Sequence, residues 1–167
     1  MSENPDVSVG GVAADDVSAD VRWLDPVEER AWRGFRRVMT LLPHRIERDL
    51  RTDSKLSAAD YEVLSNLSES PDRSYRLMDL AGRLLWSRSR LSHQIERMER
   101  RGLVIRRSCG DDGRGAIAEL TTEGVAAIEA AAPDHVSSVR THFIDQLTRD
   151  ELEMLAAISE RLVDRLE

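Results

Sequence analysis

The chain has 167 residues, 24 Lys and Arg against 31 Asp and Glu, 41% hydrophobic residues and one cysteine. That length fits one compact domain, or one domain with an appended oligomerisation element. No stretch approaches the ~20 consecutive apolar residues of a membrane span, no signal peptide is expected from a start without cations or an apolar run, and a lone cysteine excludes an internal disulfide and fits a reducing cytoplasm.

Residues 1–21 are rich in Asp, Ser, Gly and Ala, with no cation before Arg22, and read as a disordered acidic arm. Asp25-Pro26-Val27-Glu28 then combines an N-cap acid, a first-turn proline and a capping-box glutamate. Trp32, Phe35, Met39, Leu42, Ile46 and Leu50 follow at helical spacing, so one helix is predicted to about residue 52, kinked but not ended by Pro43. Ser57-Ala58-Ala59-Asp60 opens a second helix with Val63, Leu64 and Leu67 inward, and Ser70-Pro71-Asp72 closes it as a turn.

A short helix over Leu77–Leu84 and a tight connection through Leu85 and Trp86 lead to a Ser87-capped helix over 88–101. Leu91, Ile95 and Met98 form its inner face and Gly102 stops it. The period then changes to that of two strands, 103–107 and 116–120, around the loop 108–115, which together read as a hairpin. A further helix begins at Thr121 or Thr122, carries Pro133 and continues through Val136, Val139, Phe143 and Leu147. Thr148-Arg149-Asp150-Glu151 caps a last helix with Leu152, Leu155, Ile158, Leu162 and Leu166 on one side. This order describes a mainly α fold with a small β-hairpin wing: a winged helix-turn-helix over 53–121, flanked by dimerisation helices at 22–52 and 122–167.

The net charge of −7 argues, taken whole, against a nucleic-acid partner. It is partitioned: residues 1–72 carry −6, residues 73–114 carry +6 and residues 115–167 carry −7. All eleven cations of the middle block are arginines, whose planar fork suits phosphates and guanine edges. At about 100° per residue, Ser89, His93, Arg100, Arg97 and Arg90 lie opposite the inner face of helix 88–101. Such a helix fits the major groove of double-stranded DNA with its first residues deepest, which places Ser87, Arg88, Ser89, Arg90, Ser92 and His93 at the bases and Arg97 on a base or phosphate. A merely solvated amphipathic helix is the alternative. The wing 108–115 offers Arg114 between glycines to the minor groove, with Asp112 steadying it.

Leu80-Ala81 before a Ser-rich helix, the run from Ile95 to Arg106, Asp112-Gly113-Arg114 and Leu120-Thr121-Thr122-Glu123-Gly124 resemble the multiple-antibiotic-resistance regulator (MarR) family, most closely over 57–124. The resemblance implies a dimeric winged-helix transcription factor, usually a repressor, and places Asp112 and Arg114 at the family's wing motif. Gly113 departs from the larger or basic residue often found there. Many members release DNA on binding a small aromatic or phenolic compound. A pocket for one is implied by the resemblance alone, with Trp32, Phe35, Met39, His44, Arg45, Tyr61 and Met78 as its candidates.

Trp23, Leu24, Trp32, Val136, Val139 and Phe143, with Leu147, Leu152, Leu155 and Leu162, exceed the apolar needs of one small lobe. A second copy would bury the excess, and a two-fold homodimer predicts a palindromic operator; a monomeric bundle is the alternative. No cofactor motif or catalytic constellation is present, so no enzyme is expected. His135 and His142, seven apart, read as solvated or interfacial histidines rather than a metal pair, and Cys109 stands in the wing rather than in the first helix, where the family's peroxide sensors carry their thiol. The rival readings are a sequence-indifferent architectural protein and a protein-interaction module.

Overall fold

A computed structural model of the chain describes residues 21–108 and 115–167. The described residues divide into two compact units, a first ending at Arg37 and a second beginning at Val38. In order, it makes α1 (Pro26–Asp53), α2 (Ala58–Glu69), β1 (Ser74–Arg76), α3 (Leu77–Arg83) and α4 (Arg88–Arg100). There follow β2 (Val104–Ser108), β3 (Ala116–Leu120), α5 (Thr122–His142), a 3-10 turn (Ile144–Gln146) and α6 (Arg149–Leu166). The expected arm over 1–21 lies, Val21 apart, outside the described residues, as do Cys109, Asp112, Gly113 and Arg114 of the wing.

In the first unit, Asp25 accepts from the Val27 and Glu28 amides at 2.7 and 2.9 Å, and Glu28 returns a bond to the Asp25 amide at 2.9 Å. That reciprocal box satisfies donors that the first helical turn leaves free. The Trp32 and Phe35 rings stack with centroids 6.3 Å apart, both on the exposed surface of the unit.

The second unit holds a single core in which α2, α3, α4, α5 and the sheet meet. Val63, Leu64, Leu67, Leu80, Ile95, Met98, Val104, Ala118 and Ala131 are fully enclosed. Proline interrupts neither α1 at Pro43 nor α5 at Pro133. The three strands are antiparallel in the order β1-β3-β2, with Tyr75 opposite Ala118 and Arg106 opposite the same residue from the other side. Among the described residues, no helix is long and apolar enough to cross a membrane.

Two elements differ from the sequence reading. β1 was not expected: three residues carry no readable period, and their strand state comes from pairing with β3, more than forty positions away. The helix expected to carry Phe143 and Leu147 ends at His142, where Phe143 leaves helical geometry (φ −139°) and a 3-10 turn follows. Phe143 and Leu147 therefore do not share a helix face with Val136 and Val139.

Two glycines fix how α4 hands over to β2 and α5. Gly102 sits in the left-handed region (φ 74°), its amide bonding Glu99 O at 2.9 Å while Leu103 N bonds Met98 O at 3.0 Å. These two bonds close α4 as a Schellman motif. Gly124, in the first turn of α5, passes so close to that turn that a Cβ there would stand 2.0 Å from the Leu103 carbonyl oxygen. The Gly124→Ala variant is expected to lose about 1–3 kcal/mol from enforced backbone shifts, read as a lower melting temperature. An unchanged melting temperature would mean that this approach is not fixed.

Candidate nucleic-acid interface

Helix α4 is held from both ends and from within. Ser87 Oγ accepts from the Arg90 amide at 3.2 Å, and Leu91, Ile95 and Met98 fix the inner face in the core. The turn before it is tight because Leu85 adopts φ 52° and Trp86 N bonds Ala81 O at 2.9 Å. The result is a short α3, a sharp turn and an α4 whose outer side faces solvent.

Ser87, Ser89, Ser92, His93 and Arg100 are exposed, and His93 Nδ1 stands 3.9 Å from Glu96 Oε2. Arg88, Arg90 and Arg97, the described arginines expected at the DNA, are also exposed, but each leans on a neighbour. Arg90 lays its guanidinium over the Trp86 ring at 4.0 Å. Arg88 Nη2 points at Met78 Sδ at 3.5 Å, and Arg97 Nη2 donates to Gln94 Oε1. Expected simply to reach a base or phosphate, Arg97 is thus tethered within its own helix, a restraint that a helical wheel cannot register.

Ion pairs consume part of the basic block. Arg101 meets Asp60 at 2.7 Å, Arg106 meets Glu99 at 2.8 Å and Arg107 meets Glu119 at 2.5 Å. Arg88, Arg90, Arg97 and Arg100 have no carboxylate within 4 Å among the described residues, and neither do Arg73, Arg76 and Arg83, so four of the block's seven unpaired arginines stand on α4. A positive, exposed helix bearing hydroxyls and guanidinium groups can bond phosphates and base edges.

Sequence reasoning missed what lies beneath that helix. Asp60, placed at the α2 capping box, is 3% exposed, and Gln94, absent from the predicted inner face of α4, is 1% exposed. Asp60 Oδ2 accepts from Ser57 N and Oγ, both at 2.8 Å, and from Arg101 Nη1 at 2.7 Å, while Asp60 Oδ1 accepts from Gln94 Nε2 at 2.8 Å. Burial opposes the Asp60 charge, yet the Arg101 and Ser57 bonds outweigh it and hold the carboxyl below its ordinary range. The available signal was Gln94 at the border of the apolar stripe. Its partner lies 34 positions back and could not be named from spacing.

The remaining candidates fall in separate places. Tyr61 stacks on His135 of α5 with centroids 4.1 Å apart, whereas Met78 is exposed beside Arg88. Met39, His44 and Arg45 are exposed on α1, where His44 lines a shallow groove with Glu47, Arg48, Arg51 and Thr52. His142 Nε2 stands 2.7 Å from Asp49 Oδ2, which also accepts from Ser138 Oγ at 2.9 Å. Those two bonds lower the Asp49 pKa. No cluster of three or more metal-binding side chains occurs among the described residues. Of the expected dimer residues, Trp23, Leu24, Trp32, Val136 and Leu162 are exposed, and Val139, Phe143, Leu147, Leu152 and Leu155 are half-buried.

His135 carries a pH dependence. Burial pushes its pKa below the ordinary value of 6.5, and its Nδ1 is enclosed without a hydrogen-bond partner among the described residues. The unfolded chain therefore binds a proton that the folded chain resists, so stability falls as pH drops below about 6.5. In His135→Phe, which retains an aromatic ring for Tyr61, melting curves between pH 7 and 5 are expected to lose part of that slope. An identical slope would assign it elsewhere.

A family model described as the MarR family matches residues 54–115. The crystal structure of AbsC, a MarR family transcriptional regulator from Streptomyces coelicolor, is similar with 44% identity and a TM-score of 0.81, covering 87% of this chain and 98% of AbsC. That of Sco3205 from the same organism, in complex with DNA, is similar with 37% identity and a TM-score of 0.82, covering 88% of this chain and 92% of Sco3205. The transcriptional repressor YetL from Bacillus subtilis is 30% identical over 110 residues, 64% of this chain and 66% of that protein. The chain thus spans just under two thirds of YetL's length.

Proposed function

The chain belongs to the MarR family of transcriptional regulators, and from that premise we propose that it is a cytoplasmic homodimeric repressor that reads a palindromic operator with α4. The observation that carries this reading is a row of four arginines without a carboxylate within 4 Å among the described residues, on one exposed helix behind a helix-turn-helix bend. Ser87, Ser89, Ser92 and His93 supply short polar groups at the end that enters the groove deepest, and Arg88, Arg90 and Arg97 supply charge and forked donors. Asp112 and Arg114 complete the proposal as the wing's contact with the minor groove. Residues 53–121 form the DNA-binding part; 22–52 and 122–167 form the dimer.

What each unit leaves open supports a second copy. Trp23 is 79% exposed in the first unit, and Met154, Ile158, Leu162, Val163 and Leu166 are exposed on α6 in the second. That much accessible apolar surface is characteristic of an interface rather than of a monomer. A small aromatic or phenolic effector belongs to the same proposal, with the Tyr61–His135 stack as an aromatic wall for it.

The test is selection from a random-sequence duplex pool, followed by titration of the enriched duplex and a scrambled control at several salt concentrations. Preference for the enriched duplex and a steep fall in affinity with salt, from the release of several counterions, are expected. Equal affinity for both duplexes would favour an architectural protein, and no shift at all would favour a protein-interaction module.

A further inference from the structure

We infer that Asp60 and Gln94 form a buried positioning pair that sets the orientation of Arg97 for base discrimination. The inference rests on the DNA-reading role proposed for α4 and names how one of its contacts becomes selective. A carboxylate can only accept hydrogen bonds, so Asp60 Oδ1 obliges Gln94 to present its NH2 group, which it does at 2.8 Å. The other end of the amide is then necessarily the carbonyl oxygen, and that oxygen accepts from Arg97 Nη2. The polarity of the whole chain of bonds is therefore set by one buried charge on α2.

Asp60 is itself well fixed. Ser57 holds it through backbone and hydroxyl, and Arg101 holds it from the far end of α4 while also reaching Lys55 O at 3.3 Å. Gln94, fully buried, has no room to change rotamer freely. Arg97 spends one of its five N–H donors on Gln94 and keeps four for a ligand. Its exposed guanidinium is thus pre-oriented rather than freely swinging. Pre-orientation costs less entropy per bond formed and penalises a ligand whose acceptors are misplaced. The pair accordingly contributes discrimination, whereas the charge of Arg97 contributes general affinity whatever its orientation.

The test is Gln94→Met, which keeps the volume, removes both amide bonds and leaves Asp60 paired with Arg101. Titrations use the duplex enriched by the wild-type protein and its scrambled counterpart, alongside Arg97→Ala and the double variant. Gln94→Met is expected to lower the preference for the enriched duplex about ten-fold, with scrambled-duplex affinity and its salt slope unchanged. Because the two residues act as one device, the double variant should match Arg97→Ala in preference. A Gln94→Met preference equal to wild type, or losses that add in the double variant, would overturn the inference, as would equal losses on both duplexes, which mark a structural role. A wild-type protein with no preference would instead remove the DNA-reading role itself.

Discussion

Replacing Asp60 with alanine is expected to cost the fold about 3 kcal/mol, since it removes a helix cap worth about 1 kcal/mol and strands a buried amide donor at about 1–3 kcal/mol. Three partners lose their acceptor together: the Ser57 amide and hydroxyl, Gln94 Nε2 and Arg101 Nη1. Arg101 is partly solvated, at 43% side-chain exposure, so water replaces much of what it loses. Gln94 is enclosed and has no such recourse. For a chain of this size the melting temperature should fall by roughly 6–12 °C at pH 7. The pH dependence has a definite sign. The Asp60 pKa is lowered on folding, so the carboxylate stabilises the fold above its unfolded pKa and loses that contribution as pH falls through the folded one. The gap between wild type and Asp60→Ala should therefore narrow below about pH 4. A gap of constant size down to pH 2 would show that charge is not what Asp60 contributes.

The second large effect is expected from Leu162→Glu on α6. In a single chain Leu162 is 47% exposed, so a glutamate there offends nothing within the chain. In a two-fold interface the substitution occurs twice and brings two carboxylates into the same apolar contact. The mass in solution should drop from twice 18.9 kDa to 18.9 kDa. Operator affinity should then fall about 100-fold or more, because two half-sites are no longer held by one linked particle. Light scattering reads the first and a duplex titration the second. A dimeric variant with unimpaired binding would remove α6 from the interface.

Much of this fold was legible because its punctuation is local. The pairs Asp25 with Glu28, Ser57 with Asp60, and Thr148 with Glu151 announce helix starts by residue type and spacing, and all three form reciprocal boxes. Gly102 stops α4 for an equally local reason, the need for a positive φ. What was not legible depends on distant partners. β1 exists through β3, and Gln94 is buried because Asp60 waits for it on another helix. The α4 face was readable as cationic, yet which arginines are neutralised was not. Arg107 is paired with Glu119 only because the sheet register sets β2 beside β3. Charge arithmetic likewise located the basic block without showing that four of its unpaired arginines stand on α4.

The measurement that bears most directly on the proposed dimeric operator reader is a hydroxyl-radical footprint on the enriched duplex. Two α4 helices related by a two-fold axis should protect two segments centred about one helical turn apart, roughly 10 base pairs, symmetric about a palindromic centre. A single protected segment, or protection that ignores sequence and symmetry, would contradict it.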